Sequence, residues 1–233
     1  MRKLILAILI VACAVAASGR DGRKTTEKLY YENNEPESAV EYRDGKKNGA
    51  AIVYSRNGMI KVRGSFKNDR RHGLWTFYFD ETPTLMAVEF YENDRLQGRQ
   101  SYFYPDGSLR SIANYEDNQR KGVWEWYSET GALETRINYL SNYRGLAAIF
   151  NDKGVTVATG MLVNELRSGL WKFFDESGRP LYAMNYRRGV PYGDYEAYDR
   201  DGSVVIRGLV DEAGNLTTEI EGKQEIIETY TGR

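Results

Sequence analysis

The chain is short of the groups from which most enzymes and metal sites are made. Its 233 residues include one cysteine, Cys13, and one histidine, His72. One histidine supplies neither a Ser-His-Asp triad nor a His-based zinc site, and a lone cysteine forms no intrachain disulfide. The turn aspartates Asp106 and Asp201 lack the succession of acidic ligands, ending in a bidentate Glu, that a calcium loop requires. No pair of carboxylates stands out for glycoside hydrolysis. No catalytic residue, metal site or cofactor is therefore expected, and the chain reads as a non-enzyme. An excess of either charge is missing as well. Lys+Arg number 32 and Asp+Glu 33, a formal net charge of −1, which argues against a nucleic-acid partner. After residue 20 no apolar run approaches the roughly 20 residues of a membrane helix. No stretch there sustains a 3.6-residue period, so no substantial helix is expected.

Aromatic residues and glycine are plentiful: 18 Tyr, 8 Phe, 4 Trp and 23 Gly against only 5 Pro. That mixture favours strands and tight turns. The N-terminus, MRKLILAILIVACAVAASG, reads as an export signal, with Arg2 and Lys3 ahead of a short apolar stretch from Leu4 to Ala12. Cleavage after Ala16 or Ala17 fits the small residues that follow. Ile10-Val11-Ala12-Cys13 alternatively resembles a lipoprotein box, with Cys13 as the lipidated residue, and an uncleaved anchor is a third reading. The expected divisions are a signal over 1–17, a linker over 18–25, a repeat array over 26–217 and a C-terminal cap over 218–233. The expected location is the periplasm, cell envelope or extracellular space.

The array declares itself by period. Gly49, Gly73, Gly98, Gly122, Gly145, Gly169 and Gly193 stand 24, 25, 24, 23, 24 and 24 residues apart. Five residues after each comes an aromatic residue, such as Tyr78, Tyr127 or Phe174. Nine after comes a second glycine, except at Thr82, where DETPT replaces the usual turn. Seventeen after comes a large apolar residue, running from Phe66 and Phe90 to Val210. Tyr30 and Asn34 place a degenerate first repeat near 26–49. Periods of this size mean a stacked array. Each unit reads as a β-hairpin whose turn glycine supplies positive φ. The expectation is an all-β fold, an elongated and twisted antiparallel sheet of about eight hairpin repeats.

A doublet sits inside the period. Two residues after the leading glycine stand Ala51, Trp75, Gln100, Trp124, Ala147, Trp171 and Tyr195; fifteen after stand Gly64, Val88, Ala113, Ile137, Gly160, Met184 and Gly208. A Trp laid over a neighbour's glycine would fill the space that glycine leaves open, giving a real unit of about 48 residues, or two periods.

The phrases GLWTFYFDET at Gly73, GVWEWYSETG at Gly122 and GLWKFFDESG at Gly169, with YRDGKKNG at Tyr42, resemble the MORN repeat family, and more closely its bacterial antitoxin-type variant repeats. The resemblance spans roughly 26–217. It implies an extended antiparallel sheet acting as a scaffold or binding module, with links to acidic phospholipids and, for the variant group, to neutralisation of partner toxins. Two surfaces are candidates for binding. Twenty-two residues after the leading glycines stand Arg71, Arg95, Arg120, Arg144 and Arg167, with Lys47 in register, a line suited to an anionic lipid, a cell-wall glycan or an acidic protein face. The rings of Trp75, Trp124, Trp126, Trp171 and Tyr195 either pack between repeats or stack on sugars, as a passing likeness to choline- and glucan-binding repeats suggests. An unidentified protein partner is the leading expectation, ahead of a glycan- or choline-type ligand.

Overall fold

The computed structural model describes residues 22–220 and 223–227; the expected leader over 1–17, including Cys13, lies outside them. All 21 strands belong to one sheet, and no helix occurs among the described residues. Strands pair antiparallel with their neighbours in sequence, from Lys24–Tyr30 against Pro36–Arg43 at one end to Leu216–Ile220 against Lys223–Ile227 at the other. Among the described residues the chain is thus one long open meander of successive hairpins.

Two turn types alternate between the two edges. At one edge lie turns such as Ser55–Met59, where Ser55 and Met59 share a backbone hydrogen bond of 2.8 Å and Gly58 takes φ 81. This is a type I turn closed by a left-handed residue. In the degenerate first repeat Asn34, φ 67, takes the glycine's place. At the other edge the described two-residue turns, except Asn142–Tyr143, carry positive φ at both positions, as at Asn68–Asp69 (51 and 67) and Asn164–Glu165 (52 and 67). Asn and Asp tolerate this conformation, so the polar connections of the sequence are tight turns in their own right. They also bind repeats together. Asp69, Asp94, Asn118 and Asn142 each accept a backbone N–H from the repeat before, at 2.7–3.0 Å.

The leading glycine opens a bulge. Along Thr156–Val163 and Leu166–Phe174 the pairing runs Leu162 with Arg167 and Met161 with Ser168, then resumes at Thr159 with Lys172. Gly160 therefore faces three residues, Gly169, Leu170 and Trp171. Gly169 makes the detour with φ 68, and Gly73, Gly98, Gly122 and Gly193 repeat it with φ of 79, 67, 65 and 84. A bulge interrupts the ladder, and Trp171 adds a hydrogen bond beside the break. Its indole N–H donates to the carbonyl of Met161 at 2.9 Å. Trp124 does the same to Asn114 at 2.8 Å and Trp75 to Ser65 at 3.2 Å. The ring of Trp171 covers Gly160 so closely that a Cβ there would overlap it, and Trp75 covers Gly64 in the same way. Trp124 packs on Ala113.

Spacing irregularities have structural consequences. Gly145 follows Gly122 by 23 residues, pairs directly with Tyr139 and has neither the two-residue offset nor positive φ. It is small for a different reason: the Ile137 side chain lies where its Cβ would be. The 25-residue repeat shifts the other way. Its turn, Phe79–Thr84, carries an extra residue, so Trp75 pairs with Glu89 and Gly73 with Tyr91. The expected partners Val88 and Phe90 are displaced by one position. Since side chains alternate across a strand, Tyr91 is buried and Phe90 is 40% exposed.

Burial is concentrated on the face that carries the tryptophans. Trp171 (1% exposed), Trp75 and Trp124 are the largest members of two clusters, one around Val62, Trp75 and Tyr91, the other around Ala113, Trp124, Ile137 and Trp171. Between them the shifted register puts Glu89 opposite Gln100. Gln100 is fully buried and replaces Trp at its bulge, accepting from the N–H of Phe90 at 2.6 Å and donating to the carbonyls of Gln97 and Gly98.

Replacing Trp171 by Ala should lower unfolding free energy by about 3–5 kcal/mol, as for other buried aromatics. Trp171→Phe keeps most of the area and loses the hydrogen bond, and should cost about 1 kcal/mol from that bond. Urea unfolding followed by circular dichroism checks both; a loss of only a few tenths in Trp171→Ala would remove the ring's structural role.

Candidate interaction faces

The basic line expected from sequence divides between the two faces. Lys47 and Arg71 sit on the tryptophan face, with Lys47 Nζ 5.3 Å from the Phe66 ring and the Arg71 guanidinium 3.9 Å from the Tyr91 ring. Arg120 lies 5.4 Å from Trp124 and 5.3 Å from Tyr139. Arg167 stands over Trp171, Phe173 and Tyr186 at 4.9–5.4 Å. These four cations cover the rings that the repeats bury, and their stems exclude water from them. Arg71 also pairs with Asp94 at 3.3 Å, and Arg120 with Glu165.

Arg95 and Arg144 are on the opposite face. Leu96, not Arg95, stands across from Tyr91, because of the extra residue in the Phe79–Thr84 turn. Arg144 pairs with Val163, on the face away from Leu162, and its Nη2 lies 3.4 Å from Met161 Sδ. A regular count of 22 residues thus crosses the sheet wherever a repeat gains or loses one residue.

The candidate aromatics pack among themselves. Trp126 lies 5.8 Å from Trp124, Trp75 is 5.1 Å from Phe66 edge-on, and Tyr195 is 6.0 Å from Tyr182. Trp126 and Tyr195 remain half-buried. The polar interruption between the clusters holds a small network, in which Glu89 accepts from Tyr91 at 2.5 Å and from Tyr102 at 3.1 Å. Burial, reinforced by the Glu89 carboxylate, pushes both phenols well above the ordinary tyrosine range. Burial and a hydrogen bond to Glu27 push Tyr42 up to about 12. His72 lies at the Gly73 bulge, with a buried Nδ1 that has no hydrogen-bond partner. Among the described residues no group of three or more His, Cys, Asp or Glu is placed to hold a metal ion.

The opposite face carries what the sequence reading passed over. One residue after the leading glycine, Leu74, Val123, Leu146 and Leu170 are 57%, 39%, 48% and 50% exposed. Their pairings, Leu146 with both Asn138 and Met161 and Leu170 with Asn185, set them on the side away from the tryptophans. Leu140, Leu166 and Val190 extend this apolar surface toward the edge of two-residue turns. Four apolar residues at one repeat position were a visible signal, masked by Ala50, Arg99 and Asp194 in the other repeats. At the N-terminal end of the same face a depression of about 300 Å³ is lined by Lys46, Lys67, Asn68, Arg70 and Asn93.

The model of the MORN repeat variant matches residues 47–68, 96–117, 120–140 and 167–188. Among curated proteins none matches in sequence. Solved structures with local likeness include accessory secretory protein 1,2 and 3 of Streptococcus pneumoniae, at 16% identity and TM-score 0.18, covering 57% of this chain and 20% of that one. Another is the Tc holotoxin pore of Photorhabdus luminescens, at 11% identity and TM-score 0.24, covering 89% of this chain and 14% of that one. The chain spans a fifth or less of either.

Ionisation of the raised tyrosines gives a prediction. A phenol whose folded pKa exceeds its unfolded value of about 10 stabilises the fold fully below that pH. The contribution is lost as pH rises through the folded value, about 12 for Tyr42 and higher for Tyr91 and Tyr102. Tyrosinate absorbance should therefore show a late set of phenols that ionise only as the chain unfolds, with the urea midpoint falling above about pH 10. A single titration of every tyrosine near pH 10 in the folded protein would contradict it.

Proposed function

We propose that this chain, an array of MORN repeat variants, is an exported, non-enzymatic scaffold that binds another protein through the face opposite its tryptophans. The observation that carries the reading is the set Leu74, Val123, Leu146 and Leu170, exposed at one repeat position on a face that nothing in the chain covers among the described residues. Exposed apolar surface of this extent, rimmed by charge, marks an interaction site. The rim is present: Glu125 pairs with Arg136 at 2.9 Å and Glu196 with Arg207 at 3.4 Å.

The tryptophan face is a poorer candidate for a sugar. Trp171, Trp75 and Trp124 are buried under their own repeats; Arg167 caps Trp171, Arg120 caps Trp124, and Arg71 covers Tyr91, which packs edge-on against Trp75. Export rests on the leader, Arg2 and Lys3 followed by Leu4 to Ala12. An exported chain meets partners in the cell envelope or outside it, which separates this reading from neutralisation of a cytosolic toxin.

Crosslinking of the native protein in intact cells, followed by mass spectrometry, identifies both the mature N-terminus and the partner. With that partner in hand, Leu146→Glu combined with Leu170→Glu should weaken binding at least tenfold, while each exposed site changes stability by no more than about 0.5 kcal/mol. Unchanged affinity in the folded double variant would move the interface elsewhere.

A further inference from the structure

Most cations along the edge of two-residue turns are already engaged. Arg71 pairs with Asp94, Arg95 with Asp117 at 3.5 Å, Arg120 with Glu165, and Arg187 with Glu212 at 3.6 Å. Among the described residues Arg188 stands unpaired singly in a later turn, whereas at the N-terminal corner four unpaired cations stand together. Arg43 pairs across the strands with Lys46, and Lys67 with Arg70, in the ladder positions just outside Tyr42, Lys47, Phe66 and Arg71. Those neighbours point to the tryptophan face, so the alternation of a strand turns Arg43, Lys46, Lys67 and Arg70 to the other face. Among the described residues none of the four forms an ion pair or stacks on a ring. Asp69, the carboxylate in the turn between Lys67 and Arg70, is occupied by the backbone N–H of Lys47 at 2.8 Å. Three of the four cations converge on the depression of about 300 Å³, together with the amide side chains of Asn68 and Asn93.

We propose that this corner is an anion site that takes an acidic segment of the partner protein, two or three Asp or Glu side chains on an extended strand. This rests on the protein-binding reading above and names the partner's chemistry. Three features support a discrete segment. The two cation pairs belong to successive repeats and lie about 9–10 Å apart, two strand spacings. Alternate side chains on one face of an extended peptide are about 7 Å apart, a difference that long Lys and Arg arms close. The asparagine amides supply neutral donors beside the cations, which suits carboxylate oxygens with several lone pairs to satisfy. A flat anionic surface, by contrast, would sample the whole face, where acids and bases are balanced at 33 and 32 over the chain.

The test uses the full chain and a synthetic peptide of alternating Glu and Ser, with titration followed by fluorescence anisotropy at several salt concentrations. Binding should be measurable and weaken steeply with salt. Lys46→Gln combined with Arg70→Gln should reduce affinity at least tenfold. Arg110→Gln combined with Lys172→Gln, an equal loss of charge at exposed sites elsewhere, should change it less than twofold. Equal losses in both double variants would show general charge attraction and overturn the site. So would the absence of peptide binding to the wild-type chain, or tighter retention on phosphatidylserine vesicles than on the peptide with the same variant dependence. Failure here, with the Leu146 and Leu170 variants still impaired toward the partner, would refute only the acidic segment and leave the apolar interface standing.

Discussion

An indole ring laid over a glycine across a bulge is the contact on which this sheet depends. A single-layer sheet has no second layer to bury its apolar face, so each repeat must cover the one before it. The leading glycine bends the strand through positive φ, the bulge sets three residues against one, and Trp171 or Trp75 fills the resulting space while donating a hydrogen bond to a carbonyl beside the break. The cost of a disrupted ladder is offset within the same motif. Arg167 then closes Trp171 from above, and Arg71 closes Tyr91, the neighbour of Trp75. One repeat substitutes Gln100, whose amide bonds the N–H of Phe90 and the carbonyls of Gln97 and Gly98.

Much of this was legible in the sequence. The period of about 24, the turn glycines and the pairing of Trp with a neighbour's small residue are local grammar, and the geometry follows them at Gly64, Gly160 and Ala113. What escaped was the effect of single insertions and deletions. An extra residue in the Phe79–Thr84 turn moves every following side chain of that repeat to the other face, as pairing with period two must. It places Glu89 opposite Trp75 and Leu96 opposite Tyr91, where a fixed count expects Val88 and Arg95. The missing residue before Gly145 abolishes a bulge and puts Arg144 on the far face. A count of residues follows the chain, whereas function follows the face.

That distinction reorganises the candidate surfaces. The regularly spaced cations that looked free are largely consumed in packing. The apolar residues Leu74, Val123, Leu146 and Leu170, and the four cations just outside the aromatic ladder, are exposed groups without partners among the described residues. Strand alternation supplies both features, because the residue after each leading glycine and the ladder pairs just outside Tyr42 and Phe66 face away from the tryptophans. Scaffold and interaction surface are two consequences of one local device, with the tryptophan face holding the array together and the other face presenting it.

The most direct measurement is a double-mutant cycle between Gly160 and Trp171. Gly160 lacks positive φ, so alanine is compatible with its backbone, and the three atoms nearest a Cβ there all belong to the indole. Unfolding free energies of the parent, Gly160→Ala, Trp171→Ala and the double variant give the coupling. The account predicts that Gly160→Ala destabilises the parent strongly but costs little once Trp171 is Ala, an interaction energy within the roughly 0.5–3 kcal/mol range of residues in contact. Additive effects would show that the ring does not depend on the glycine beneath it, and the contact proposed to organise the sheet would be lost.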